Sequence, residues 1–270
     1  MCMSIDEKSF KSEFGKYICV ISNSIKSSIV DIIPSRTKDY LYEYFSKINK
    51  IERETVRFYS SDMFEGYRTI KRKFFPNALH IIDPFHVTKL FTEAIQRARK
   101  NYMSKYSKET KEYKFIKDNW KLFLINPSSK RAEKLVFVDH LTGVVYTLRQ
   151  QIILIIKRDP ELLFLYNLFC DFCEYIDRKY SDNELEISLS FIINKALSCT
   201  SKIAIELGQT LYKFYEEILN YYKSLNIFNV SNAAAESINN KIECMFRVSR
   251  GYRDFYTLKK RLLYSFKKVE

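Results

Sequence analysis

Three short acidic stations stand far apart in the chain: Met3-Ser4-Ile5-Asp6-Glu7, Tyr59-Ser60-Ser61-Asp62-Met63 and Asn232-Ala233-Ala234-Ala235-Glu236. The first two read as strand ends, the third as the first turn of a helix. Carboxylates on separate elements that converge are what a divalent-metal site for phosphodiester chemistry requires. Each station also has a plain reading. An Asp after a strand is commonly a turn or cap residue. Asp6 fits a solvated strand end, and Glu236 fits the positive end of its helix dipole. A further unit, Asp83-Pro84-Phe85-His86, joins a carboxylate to an imidazole where a helix begins, and it also fits a helix cap.

The composition narrows the partner. Among 270 residues, 45 Lys and Arg stand against 32 Asp and Glu, a formal net charge of +13, and the pI is near 9.3. That excess fits a polyanion such as nucleic acid; a Lys-rich proteome would produce it too. With 46% hydrophobic residues and only five Gly and five Pro, the chain is globular rather than disordered. Cys2, Cys19, Cys170, Cys173, Cys199 and Cys244 suit a reducing cytosol. Cys170-Asp171-Phe172-Cys173 lies in an apolar helical stretch without the further ligands a structural zinc needs. The apolar run at 151–156 is too short to span a bilayer, and no signal peptide is visible. The expectation is a cytoplasmic protein with no membrane partner.

The elements that must position these residues follow from periodicity. Strands are expected over 2–6, 16–21 and 28–33, joined by short connections as an antiparallel meander. A helix follows over 37–53, then a strand over 55–59, a short helix over 67–74, a strand over 79–82 and an amphipathic helix over 87–102. From 101 to 228 strand signals fade and helical periodicity takes over, rich in Tyr, Phe, Leu and Ile. Trp120 in this stretch reads as core. A helix over 233–246 closes the pattern, capped by Ser231-Asn232. Strands alternating with helices make an α/β sheet with helical layers. In such sheets the reactive edge lies at the carboxyl ends of the parallel strands, where Asp6 and Asp62 meet if their strands are parallel neighbours.

These residues, in this order, resemble the DDE transposases of bacterial insertion sequences, in the ISL-three family. Ser61-Asp62-Met63 with Tyr67, then Phe75-Pro76-Asn77-Ala78 and Asp83-Pro84-Phe85-His86-Val87, are similar to that family's second-Asp region. Trp120-Lys121-Leu122-Phe123-Leu124 resembles an aromatic segment of its helical insertion. Ser231-Asn232, Glu236, Asn239 and Ile242, then Arg247, Gly251-Tyr252-Arg253, Phe255 and Arg261-Leu262, resemble its closing block. The resemblance implies an RNase H-like core, a mixed sheet with flanking helices, interrupted by a large all-helical insertion. Residues 1–100 would form the first part of the core, 101–228 the insertion and 229–270 the return.

It implies Asp6, Asp62 and Glu236 as the metal-binding triad, with Asp83, His86, Asn232 and Asn239 in support and two Mg²⁺ or Mn²⁺ ions. It also implies cleavage at transposon ends, attack of the freed 3′-hydroxyl on target DNA, and a homodimer or higher oligomer on that DNA. Arg247, Arg250, Arg253, Lys259, Lys260 and Arg261 alternate with Phe246, Tyr252, Phe255 and Tyr256. Such a segment suits phosphates and unpaired bases, and it equally suits an amphipathic helix with a solvated basic face. Pro84, Ala233, Ser237, Glu243 and Arg250 depart from the family's usual residues. Only five residues precede Asp6, where the family carries a Cys-rich segment and a helix-turn-helix. The expectation is therefore a catalytic domain or a truncated product. The alternative is an inactive remnant acting only as a DNA-binding or partner-binding module.

Overall fold

The computed structural model of the chain describes residues 1–126, 129, 136–138, 144–147, 150, 152–153, 156–177, 181–225, 233–248 and 254–266. The chain forms two compact units, Met1–His86 with Glu216–Glu270, and Val87–Tyr215.

The first unit is built on a mixed five-stranded sheet. β1 (Cys2–Ser12), β2 (Gly15–Asn23) and β3 (Ser28–Ile33) are antiparallel neighbours, while β4 (Phe58–Ser61) and β5 (Leu79–Ile82) extend the other side of β1 in parallel. The spatial order is β3-β2-β1-β4-β5. Gly15 turns β1 into β2 at a φ of 129°, a region that side chains disfavour. Between β3 and β4 run α1 (Lys38–Ser46) and α2 (Lys50–Glu54), and α3 (Glu65–Phe74) joins β4 to β5. α4 (Pro84–Met103) leads into the second unit, which holds α5 (Lys111–Asp118), α6 (Pro160–Asp177), α7 (Asp182–Leu197) and α8 (Lys202–Lys213). α9 (Tyr215–Leu225) returns the chain to the first unit, and α10 (Ala233–Val248) and α11 (Phe255–Phe266) complete it.

Strand periodicity sorts the core into two layers. Cys19 and Ile21 of β2 face Met3, Ile5, Tyr59 and Ile33, and this side is covered by Leu41 and Phe45 of α1 and Tyr67, Ile70 and Phe74 of α3. Their neighbours Ile18 and Val20 face the opposite side, with Ile32, and are covered by Ile238 and Ile242 of α10 and Phe255, Leu258 and Leu262 of α11. β2 is therefore buried on both faces, which is why it reads as an unbroken apolar run. Lys259 of α11 pairs with Asp31 of β3 at 2.6 Å, adding a polar tie at the rim of that layer.

Three expected elements change their bounds. β1 runs to Ser12 rather than stopping at residue 6, because Glu7, Lys8 and Ser9 pair with Cys19, Ile18 and Tyr17 although they are polar. Asp6 is thus mid-strand, not a strand end. The helix expected over 37–53 is broken, because the Asn49 side chain accepts from the Ile51 amide and starts α2 afresh. The strand expected over 55–59 begins three residues later and ends at Ser61, so that Asp62 follows directly.

The second unit is not all-helical. β6 (Val136–Val138) and β7 (Val145–Thr147) pair antiparallel in the middle of it, a short exchange of β-branched and aromatic residues too brief to show a period in the sequence. Its helices pack through aromatic contacts: the Phe91 and Phe172 rings stack with centroids 4.5 Å apart. Trp120 is 41% exposed, and Phe123 of the same 3₁₀ turn is the buried ring. Among the described residues, no helix is long and apolar enough to cross a membrane.

Because Ile242 is fully buried between α10 and the sheet, Ile242→Ala is expected to lose about 2–5 kcal/mol of stability. The exposed Arg247 one turn on should tolerate Ala within about 0.5 kcal/mol. Urea titration of the two variants checks the difference.

Candidate active site

The site begins with strand register. Ile5 of β1 pairs with Ser61 of β4, and Ser61 pairs with Ile82 of β5, all in parallel. Asp6, Asp62 and Asp83 are each the next residue beyond that row. Neighbouring strands lie about 4.8 Å apart, so Asp6 and Asp62 are adjacent and Asp83 is one strand further out. Asp6 is the partner of Val20 across β2. That residue belongs to the layer covered by α10 and α11, so the pleat aims Asp6 towards the α10 side. Lys8 Nζ lies 3.6 Å from its Oδ2.

Asp62 ends its strand in a local turn, its Oδ1 accepting from the Phe64 amide at 2.9 Å. Burial raises the pKa of its carboxyl. The Phe64 hydrogen bond and the charge of His86 oppose the rise, and the nearby carboxylates of Glu7 and Asp6 add to it. Among the described residues no Lys or Arg pairs with Asp62. A partly buried carboxylate with like charges beside it and no cation of its own is a donor that a hard divalent ion suits. Among the described residues no group of three His, Cys, Asp or Glu stands close enough to hold a metal ion. Asp6 and Asp62 are thus two donors of oxygen chemistry at one edge.

Asp83 caps α4: its Oδ1 accepts from the Phe85 amide at 2.8 Å and its carbonyl from the His86 amide at 2.9 Å. That cap fixes the helix start carrying His86, whose charge reaches Asp62. Glu236 and Asn239 lie on the backbone of α10, and their side chains fall outside the described residues, as do Asn232, Arg250 and Arg253 entirely. Arg247 stands one helical turn from Glu243, at 3.6 Å. Lys260 and Arg261 are exposed on α11, whereas Lys259 is engaged with Asp31.

Two features escaped the sequence reading. Glu7 lies on the opposite pleat to Asp6 and pairs with Arg36, whose guanidinium sits 4.5 Å from the Tyr17 ring centroid and 4.8 Å from that of Phe64. The adjacent Asp6-Glu7 pair was a visible signal for it. The second is a buried polar chain. Ser61 Oγ lies 2.9 Å from His80 Nε2, and His80 Nδ1 lies 3.6 Å from Glu217 Oε1. Glu217 accepts two hydrogen bonds from Arg68, at 2.6 and 2.8 Å. Arg68 and Glu217 are 149 residues apart, so no local pattern announces the pair.

The fold defines an α/β protein whose parallel strands present carboxylates at one edge. The family model of the ISL-three-type DDE transposases, described as transposase, matches residues 3–262, and the chain belongs to that family. Transposition of an insertion sequence is the setting of its chemistry, and DNA is the family's partner. No curated protein and no solved structure matches the chain.

His80 yields a pH dependence. Burial holds its imidazole down to about 4; Glu217 opposes this, and Lys71, Arg68 and Arg72 add to it. The folded state rejects a proton that the unfolded chain accepts. The contribution is therefore complete above pH 6.5 and is lost as pH falls through about 4. Over that window this group should withdraw on the order of 3 kcal/mol. Urea titrations at stepped pH should show a shallower acid slope for His80→Gln than for the parent chain.

Proposed function

We propose that the chain performs metal-dependent DNA strand cleavage and strand transfer on an RNase H-like core, with Asp6, Asp62 and Glu236 as the metal-binding carboxylates. One observation carries the reading: Asp6 and Asp62 each come one residue past a paired row on neighbouring parallel strands. The order β3-β2-β1-β4-β5, antiparallel across three strands and parallel across the rest, supports the core. Glu236 joins from α10, the helix that packs over the face towards which Asp6 is aimed. Two Mg²⁺ or Mn²⁺ ions bound there would lower the pKa of the attacking water and stabilise the leaving oxygen.

The residues divide the remaining work. Asp83 fixes the helix start that holds His86 beside Asp62. Water attacks the scissile phosphorus and frees a 3′-hydroxyl; that hydroxyl then attacks a phosphodiester of the target and displaces its 3′-oxygen. Arg247, Lys260 and Arg261 supply cations for backbone phosphates. The reaction takes place on chromosomal DNA in the cytoplasm, and joining two element ends calls for at least two copies of the chain.

Calorimetry should find Mn²⁺ binding to the chain and its loss in the Asp62→Asn, Glu236→Gln double variant; unchanged binding would refute the assignment. DNA affinity should fall steeply with salt. Lys260→Ala and Arg261→Ala should each lower the slope of log K against log salt by about 1, and an unaltered slope would remove them from the interface.

A further inference from the structure

We propose that Ser61 and His80, braced by Glu217 and Arg68, are positioning residues for Asp62. The inference rests on reading Asp62 as a metal-binding carboxylate. Ser61 is the last residue of β4 and the one whose peptide carries Asp62. Its hydroxyl lies 2.9 Å from the Asp62 carbonyl and 2.9 Å from His80 Nε2. Asp62 is held directly by Phe64 N–H on its carboxylate, and its carbonyl lies within reach of the Ser61 hydroxyl.

His80 sits on β5 as the cross-strand partner of Tyr59, their ring centroids 5.2 Å apart and nearly perpendicular. α9 grips it from two directions. Glu217 faces Nδ1, and Asn220 Nδ2 donates to the His80 carbonyl at 3.1 Å. With the ring proton on Nδ1, towards Glu217, Nε2 accepts the Ser61 hydroxyl proton. With the proton on Nε2, the ring donates to Ser61 Oγ and the hydroxyl proton turns to the Asp62 carbonyl. In the first tautomer Ser61, and through its peptide Asp62, is tied to β5 by His80; in the second Ser61 is tied to His80 and also donates to the Asp62 carbonyl.

The order hydroxyl, imidazole, carboxylate is that of a hydrolytic triad. Here Ser61 is 3% exposed, His80 and Glu217 are each 7% exposed, and Glu217 is engaged by a two-pronged Arg68. No substrate reaches the hydroxyl, so the chain of bonds orients rather than attacks. A buried ion pair returns little net stability against an apolar replacement of the same shape. What it does supply is direction, and the direction here runs from α9 to the residue beside Asp62. Outer residues of this kind are typically worth about 10–100-fold in metal affinity.

The test is Mn²⁺ binding to the full chain by calorimetry, each variant first checked for native near-UV dichroism and its melting temperature. Ser61→Ala, the mildest change, and His80→Leu should weaken Mn²⁺ binding about tenfold or more. His80→Gln, which keeps a polar nitrogen for Ser61, should recover most of that loss. Asp62→Asn should abolish binding. If Asp62→Asn abolishes binding while folded Ser61→Ala and His80→Leu bind Mn²⁺ like the parent, the four residues are merely structural; the inference is then wrong and the reading of Asp62 stands. If Asp62→Asn binds normally, both are wrong.

Discussion

The candidate site depends on one register, the parallel pairing of Ile5 with Ser61. β1 is eleven residues long and β4 only four. The parallel ladder therefore stops at Ser61 while β1 continues, paired only with β2. Asp6 is the first residue of β1 left without a parallel neighbour, and Asp62 turns away beside it. A slip of one residue would move every side chain of β4 to the other face. It would also carry Tyr59 out of the layer it shares with Ile5, Cys19 and Phe45. The apolar core thus enforces the position of the carboxylates.

That enforcement has to overcome repulsion. The carboxylates of Glu7 and Asp6 act on Asp62, and burial makes the Asp62 charge harder still to hold. The protein answers each charge differently. Glu7 is given to Arg36, which lies against Tyr17 and Phe64. Asp6 has Lys8 at 3.6 Å along its own strand. Asp62 receives an amide and the field of His86 and, among the described residues, no Lys or Arg. Of the three, it is the carboxylate with most to gain from a cation.

Much of the frame was legible in the sequence because it rests on local preferences. The branched runs of β3 and Leu79–Ile82 stop at Pro34 and Asp83, and both strands lie where their residues indicate. The basic and aromatic alternation after Arg247 does form a helix from Phe255 on. The errors have a common cause. Glu7, Lys8 and Ser9 have poor strand propensity and are held extended only because β2 pairs with them. Lys47 to Asn49 continues a helical period, yet Asn49 finds a better use for its side chain as the cap of α2. β6 and β7 are three residues each and exist by pairing with one another.

By itself the sequence determined which carboxylates were available, their order, and the two periods that separate β-layer from helical layer, because these depend on neighbours along the chain. Only the tertiary structure decided that Asp6 is mid-strand, that Asp6, Asp62 and Asp83 fall on one row, and that Glu217 reaches back to His80 and Arg68. Those facts come from strand pairing and from the burial of charges between distant segments. Their free energies exist only once the sheet has formed and water has been excluded.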